Sequence, residues 1–545
     1  MTLEEKFNEA INYHQKGMLQ DALNSYEYIL QRNPQNFIIL TNIGVIHTVW
    51  HNYDIALNFF NKAIAMNKNY FSAFNNRGLC NKAIGYFDRA LEDFDRAIKL
   101  NNRYLDAYFN KGNLYLENKD YKHAAKEFQN CIKIKPNFSE ALNSLALCMK
   151  SLGKLDNAIN NFKLAILYNP KNYQAKLNLG NLYKDQKKDI LAIEQYEDAI
   201  KVNPSYTQAF YGLGICYENI KDIDRAIYSY QKALSLDENH HDSRWNLSLL
   251  QLLKNDSSNG WKNYEARLFR DDPKKQYLHK NEVIKKPFEK NYNFKDKTIF
   301  IRAEQGLGDY IQIIRYMPEI IKMGAKLIID PPESVEPLIK NAKIEFFREG
   351  NWDISFYMMS IPFLFQKFFD EDQIFGKYLF SDTSLKKDRS NELKLNGKKN
   401  IGLVWAGNPK HPKDKIRSMK LQELQPILEN VNFNFYSLMI NHSKQEIEFI
   451  EKFENFQILT KTPENFLDTA SIIDNLDLII TVDTSVAHLA GALNKEVWIL
   501  INEIPDFRWK LTDNKTTLYA SAKLFRQCST WNETMKNLSS ELEKT

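Results

Sequence analysis

Three short segments in the C-terminal half of the chain carry residues suited to holding a polar or anionic ligand. The first is Glu304-Gln305-Gly306-Leu307-Gly308-Asp309. Gly306 and Gly308 permit a tight turn with close backbone approach, and a helix opening there aims free N–H groups at an anion or polar group. Asp309 can also cap those N–H groups itself. Ile311 stands where a third glycine would belong, so this is not the dinucleotide-binding fingerprint. The second segment runs from Asn408 to Ser418 and places Lys410, Lys413, Lys415 and Arg417 around His411. Cations at the C-terminal edge of a strand suit a diphosphate, the plain alternative being a solvated basic loop. The third is Asp483-Thr484-Ser485-Val486-Ala487-His488. There Thr484, Ser485 and the first free amides of a helix form an anion site. Ala487, Ala490, Gly491 and Ala492 keep that helix close to a sheet.

The elements that position these segments alternate between strand and helix. TIFIRA and AKLIID read as strands with the helical DYIQIIRYMPEIIKMG between them. A second series runs through NIGLVWAG, NFNFYSLM, FQIL, LDLIITVD and EVWILI. Such alternation implies parallel sheets with helices on both faces. The Lys/Ser/Asp/Asn-rich stretch near 380–398 separates two Rossmann-like lobes, at 298–385 and 398–545. A polar connector, 271–297, precedes them.

Upstream the chain is periodic. Ala22, Ala56, Ala90, Ala124, Ala158, Ala192 and Ala226 recur every 34 residues. An aromatic column (Tyr26, Phe60, Phe94, Phe128, Phe162, Tyr196, Tyr230) and a small-residue column (Gly44, Gly78, Gly112, Ala146, Gly180, Gly214) keep the same step. Pro34, Pro136, Pro170 and Pro204 close four units. The columns resemble the tetratricopeptide repeat (TPR) family: seven units over 3–240 and a partial eighth with a cap, giving an all-α superhelix over 3–270. Position six of the units reads Asn8, Asn42, Asn76, Asn110, Ser144, Asn178, Gly212 and Asn246. An amide at each rung can bind a peptide backbone without reading side chains. The pattern resembles the asparagine ladder of the O-linked N-acetylglucosamine transferase superhelix, which implies acceptor binding by Asn42, Asn76, Asn110, Asn178 and Asn246. The alternative is that these amides bond water or neighbouring helices.

The C-terminal segments resemble the heptosyltransferase-like glycosyltransferases, whose fold is GT-B. That resemblance implies Asp309 as general base toward an acceptor hydroxyl and His488 as a second catalytic residue. It implies a nucleotide-sugar donor held by Gly306, Gly308, Asn408, Lys410, His411, Lys415, Arg417, Asp483, Thr484, Ser485 and Arg508. Two positions depart from the family pattern: Lys415 stands where arginine is usual, and Phe507 replaces a tryptophan in Pro505-Asp506-Phe507-Arg508-Trp509. Gly260-Trp261, Tyr264-Glu265 and Arg267 match a GWxxYExR segment of bacterial TPR proteins with this kind of domain, which implies that it caps the superhelix and docks it on the next domain.

Bulk composition excludes little else. A net charge of +5 over 545 residues gives no reason to invoke nucleic acid, and no apolar run nears the ~20 residues that span a bilayer. Five cysteines without CxxC or a histidine cluster beside them favour a reducing cytoplasm over disulfides or zinc. The start MTLEEKFNEAI is acidic and helix-patterned, unlike a secretory signal. Asp-x-Asp triplets occur at 93–95, 222–224 and 370–372; the first two read as repeat surface, and no metal or other cofactor is expected. The expected function is glycosyl transfer to an acceptor, most plausibly a polypeptide recruited by the TPR groove. The rivals are a transferase for cell-surface or lipid-linked glycan, and a non-enzymatic scaffold with an inactive domain.

Overall fold

A computed structural model describes residues 2–270, 284, 286–304, 306–368, 376–394, 396–410, 414–511, 514–527 and 530–545, with only the backbone of Lys415. The chain forms two compact units, Met1–Leu236 and Asp237–Thr545.

The first unit is an array of seven antiparallel helix pairs, from Leu3–Gln15 with Leu19–Arg32 to Thr207–Asn219 with Ile223–Leu236. The small and aromatic columns meet inside each pair. A Cβ added to Gly44, Gly78, Gly112, Gly180 or Gly214 would lie 2.3–2.8 Å from the ring of Phe60, Phe94, Phe128, Tyr196 or Tyr230. Glycine on the first helix therefore lets the aromatic of the second lie flat against its backbone, and the alanine column is fully buried beside it. Tyr196 also presses on Gly212 of the following pair, so the same ring bridges units. Cys80, Cys131, Cys148 and Cys216 are buried and unpaired. Burial pushes the thiol of Cys148 up to about 11 and those of Cys131 and Cys216 to about 12, as for small apolar side chains rather than nucleophiles. Cys528 lies outside the described residues. Asp93 departs from the surface position read for its triplet: it is buried, paired with Arg77 and hydrogen-bonded by Asn81. Residues 370–372 lie outside the described residues.

The second unit opens with two helices, His241–Leu253 and Ser257–Tyr264, so the helices of the partial eighth repeat group with the α/β region. Gly260 lets them cross closely, since a Cβ there would sit 2.7 Å from Leu252. Of the connector, 271–283 and 285 lie outside the described residues. Two parallel sheets come next. The first has three strands, β1 (Thr298–Arg302), β2 (Lys326–Ile329) and β3 (Ile354–Tyr357), in the order β2-β1-β3. The second has six: β4 (Lys399–Val404), β5 (Phe433–Ser437), β6 (Phe456–Ile458), β7 (Leu478–Val482), β8 (Val497–Ile501) and β9 (Ala522–Arg526), ordered β6-β5-β4-β7-β8-β9. Every residue of β7 and β8 is buried, as in strands covered on both faces. Ile401, Leu403, Phe435, Ile480 and Trp498 form one core with Trp531, Met535 and Leu538 of the final helix. The helix expected after β1 is broken into Leu307–Ile313, a 3₁₀ turn and Met317–Lys322. Pro318 sits in the first turn of the last piece because proline fits a helix's first turn but not its interior. Among the described residues no helix is long and apolar enough to cross a membrane.

Candidate functional site

Strand order places the three segments. In the six-stranded sheet the chain moves outward from β4 through β5 to β6, then returns to β7 and moves the other way. The switch point therefore lies between β4 and β7, where loops leave the carboxyl ends of the strands in a crevice suited to ligands. The loop from Trp405 to Ser418 leaves β4, and Asp483-Thr484-Ser485 leaves β7. In the smaller sheet β1 is central, and the glycine segment leaves its carboxyl end.

Arg417 joins the two loops of the larger sheet. Its Nη1 donates to the Asp483 carbonyl at 3.2 Å and its Nε to Asp414 Oδ1 at 3.3 Å. A Cβ on Gly407 would lie 2.6 Å from Arg417 Nη2, so glycine there makes room for the guanidinium. The Gly407 N–H donates to Ser418 Oγ, which donates to Asp414. Asn408 accepts from the Lys410 N–H at 3.0 Å, shaping the loop, and both residues are exposed. His411 lies outside the described residues, as does the side chain of Lys415. Thr484 is the N-cap of the helix Ser485–Ala492 and makes no side-chain capping bond; its hydroxyl meets that of Thr481 at 3.1 Å. The amides of that first turn thus have no side-chain cap.

The glycine segment packs directly on this helix. A Cβ on Gly308 would meet His488 Cδ2 at 2.8 Å and Ser485 Cα at 3.5 Å. Gly308 accordingly serves close helix packing, whereas Gly306 begins the turn and donates its N–H to Asp309 Oδ2 at 3.0 Å. His488 is 4% exposed. Its Nδ1 is 2.9 Å from the Tyr519 hydroxyl and its ring stacks on Trp509, with centroids 5.4 Å apart. Burial, reinforced by Arg508 and Arg315, pulls its pKa down to about 3, so the imidazole is neutral.

Arg508, expected beside the donor, turns to the glycine segment. Its guanidinium pairs with Asp309 and Asp506, and its Nε donates to Gln312 Oε1 at 3.0 Å. Burial opposes its charge, but Asp309 and then Asp506 raise its pKa further. Asp483, partly open to solvent, is pushed up to about 6 by burial and by Asp506, with Arg508 opposing. Asp309 thus caps its helix and holds an arginine at once.

The sequence pattern assigns Glu304 no role. Its carboxylate receives a forked bond from Arg267, Nη2 at 2.7 Å and Nε at 3.2 Å, and a third from the Met359 N–H at 3.0 Å. The only sequence signal is the Glu-Ala-Arg of the GWxxYExR match. A shallow concavity lined by Lys398, Pro426, Asn430, Phe433 and Ser539 lies at the opposite, N-terminal edge of β4 and β5 and gathers none of these groups.

In the first unit several amides of the asparagine column bond side chains of the preceding repeat. Asn110 donates to Asn75 and Asn178 to Asn143, each at 3.0 Å and each in the preceding repeat, while Asn42 donates to the Tyr26 hydroxyl. Asn76 lies 3.5 Å from the Asn75 amide. Asn246 belongs to the second unit.

Residues 71–104, 105–138, 139–172, 173–206 and 207–240 each match the tetratricopeptide repeat family, so the array is a TPR superhelix that offers a surface for protein interaction. Among solved structures, YrrB, a TPR protein with an unusual peptide-binding site, is 22% identical over 34% of this chain and 95% of its own, at a TM-score of 0.30. A TPR protein from Parabacteroides merdae ATCC 43184 is 21% identical over 46% and 98%, at 0.36. MamA is 26% identical over 30% and 96%, at 0.28. No curated protein matches the chain.

Proposed function

We propose that the second unit is a GT-B glycosyltransferase that moves a sugar from a nucleotide-sugar donor to an acceptor hydroxyl, the acceptor being a polypeptide recruited by the TPR array. The observation that carries this reading is the Arg417 guanidinium, held over Gly407 and spanning the β4 and β7 loops at the switch point of the larger sheet. A planar cation beside uncapped helix amides suits a diphosphate. In the proposed step the acceptor O–H gives its proton to Asp309 while its oxygen attacks the anomeric carbon. The bond from that carbon to the donor's diphosphate oxygen breaks, and the leaving nucleoside diphosphate keeps the electron pair. Arg417 and the amides after Thr484 stabilise the leaving charge. His488, buried and neutral, holds the Gly308 helix against the donor helix and takes no proton.

Asp309→Asn in the full chain tests the role of the base. It keeps the shape and one acceptor oxygen, so nucleotide binding is retained while transfer falls by ~10²–10⁴. Wild-type transfer by the variant assigns Asp309 to capping and ion pairing alone. Absence of transfer by the wild type, over a panel of nucleotide sugars and protein acceptors, favours an interaction scaffold.

A further inference from the structure

The geometry points to Arg267, in the 3₁₀ turn Glu265–Leu268 that follows the helix pair, as a positioning residue of the candidate site, acting through Glu304, so that the segment before the sheets is part of the catalytic unit. This rests on the proposed transferase reading for its kinetic consequence, but not for its structural one.

Arg267 is 0% exposed, and every nitrogen of its guanidinium is engaged. Nη1 donates to Glu265 at 2.6 Å, and Nη2 to Ser360 Oγ at 2.9 Å as well as to Glu304. Ser360 in turn donates to Glu265 at 2.9 Å, closing a buried network of one cation, two carboxylates and a hydroxyl. Burial works against the charge of Arg267, but Glu304 and then Glu265 hold its pKa above the ordinary value.

Glu304 stands two residues before the Gly306 turn and five before Asp309. Its carboxylate, fixed by Arg267 and by the Met359 amide after β3, anchors the backbone from which the Asp309 helix starts. The same helix pair also supports Arg508, the other partner of Asp309. Trp261 and Tyr264 each pack edge-on against Phe507, with ring centroids 5.8 Å apart, and Lys510 Nζ donates to the Leu252 carbonyl at 2.7 Å. Asp309 and Arg508 are therefore each tied to the segment before the first strand through a residue nearby in their own stretch of chain, Glu304 and Phe507. A catalytic base misplaced by about 1 Å loses roughly 10²-fold in rate, which is the scale on which such an anchor acts.

The test uses Arg267→Lys and Glu304→Gln in the full chain. The first keeps the charge and loses the fork; the second keeps the shape and leaves Arg267 paired with Glu265. Three quantities are read: amide hydrogen exchange, affinity for UDP, ADP and GDP, and transfer kinetics. The expected result is exchange at 306–310 faster by about tenfold or more, with the amides of β4, β7 and β8 unchanged. Affinity for whichever diphosphate binds the wild type stays within about threefold, and kcat falls by ~10² with little change in donor KM. Wild-type exchange at 306–310 in Glu304→Gln overturns the proposal. So does a loss of protection spread over the whole second unit, which makes the network one of general stability. If the wild type binds none of the three nucleotides and transfers nothing, the transferase reading fails, while exchange at 306–310 still decides whether Arg267 positions the loop.

Discussion

Asp309, in the first turn of the helix after β1, and Arg508, in the 3₁₀ turn after β8, form a largely buried ion pair that joins segments following two different sheets. Arg508 also serves Asp506, with Asp483 nearby, so one guanidinium is shared among carboxylates. Arg508→Met removes the partner that Asp309 and Asp506 share, and removing one partner of a buried pair costs about 3–5 kcal/mol. Chemical denaturation of the full chain measures it. Adding Asp506→Asn to Arg508→Met should restore part of the loss. A change below about 1 kcal/mol in Arg508→Met contradicts the pairing.

Two glycines of the site should respond oppositely to alanine. Gly308→Ala drives a methyl into the buried His488 ring and should cost about 1–3 kcal/mol by overpacking. Gly407→Ala meets only the ends of side chains, Arg417 Nη2 at 2.6 Å and Asp414 Oδ1 at 2.8 Å, which can shift away. Stability then changes little, while affinity for a nucleoside diphosphate drops about tenfold, near the worth of one charge-assisted hydrogen bond. Thermal midpoints and nucleotide titrations separate the two outcomes; equal effects on both quantities contradict the assignment.

Asp483 gives a pH signature. Burial and then the neighbouring Asp506 push its carboxyl up to about 6 in the folded chain, against ~3.9 for an unfolded aspartate. The folded state binds the proton more tightly, so this group's contribution to stability falls as pH rises from about 4 through about 6 and then levels. Asp483→Asn removes that slope. The variant should exceed the wild type by on the order of 1–3 kcal/mol at pH 7.5, with the difference vanishing toward pH 4. His488 slopes the other way, because its pKa of about 3 lies below that of an unfolded histidine and stability falls as pH drops below ~6.5. Both proteins carry His488, so it cancels in the comparison. A difference independent of pH contradicts the raised carboxyl.

The repeat and the larger sheet are legible in the sequence because their signals are local: a 34-residue step, and apolar runs long enough to read as strands. β3 and β9 escape such a reading. Ile354–Tyr357 is four residues long, and Ala522–Arg526 carries Lys523 and Arg526 at the sheet edge, so neither stands out from its flanks. The three ligand segments are visible in the sequence, but not their mutual packing. Gly308 meets His488 and Arg267 meets Glu304 across long stretches of chain, and no spacing rule encodes such pairs. Arg508 shows the same limit: its type suits a phosphate, yet its place beside Asp309 depends on how β8 and β1 are brought together.

The asparagine column can be tested as a whole. Replacing Asn42, Asn76, Asn110 and Asn178 by alanine removes the Asn110–Asn75 and Asn178–Asn143 bonds, at roughly 0.5–1.5 kcal/mol each, and should leave the array folded. Modification of polypeptide acceptors should fall, while cleavage of free nucleotide sugar stays unchanged. An unfolded variant assigns the column to inter-repeat stitching. Unchanged transfer to a glycan acceptor favours a glycan-modifying enzyme.

The central claim is that the crevice between the β4 and β7 loops holds a nucleoside diphosphate. Thermal unfolding of the full chain with UDP, ADP, GDP or their sugars tests it most directly. Ligand at a hundredfold excess over its Kd stabilises by about 2.7 kcal/mol, and the shift should be lost in Arg417→Ala. The account expects one nucleotide family to raise the midpoint of the wild type and not of that variant. No shift with any of them at millimolar concentration contradicts it.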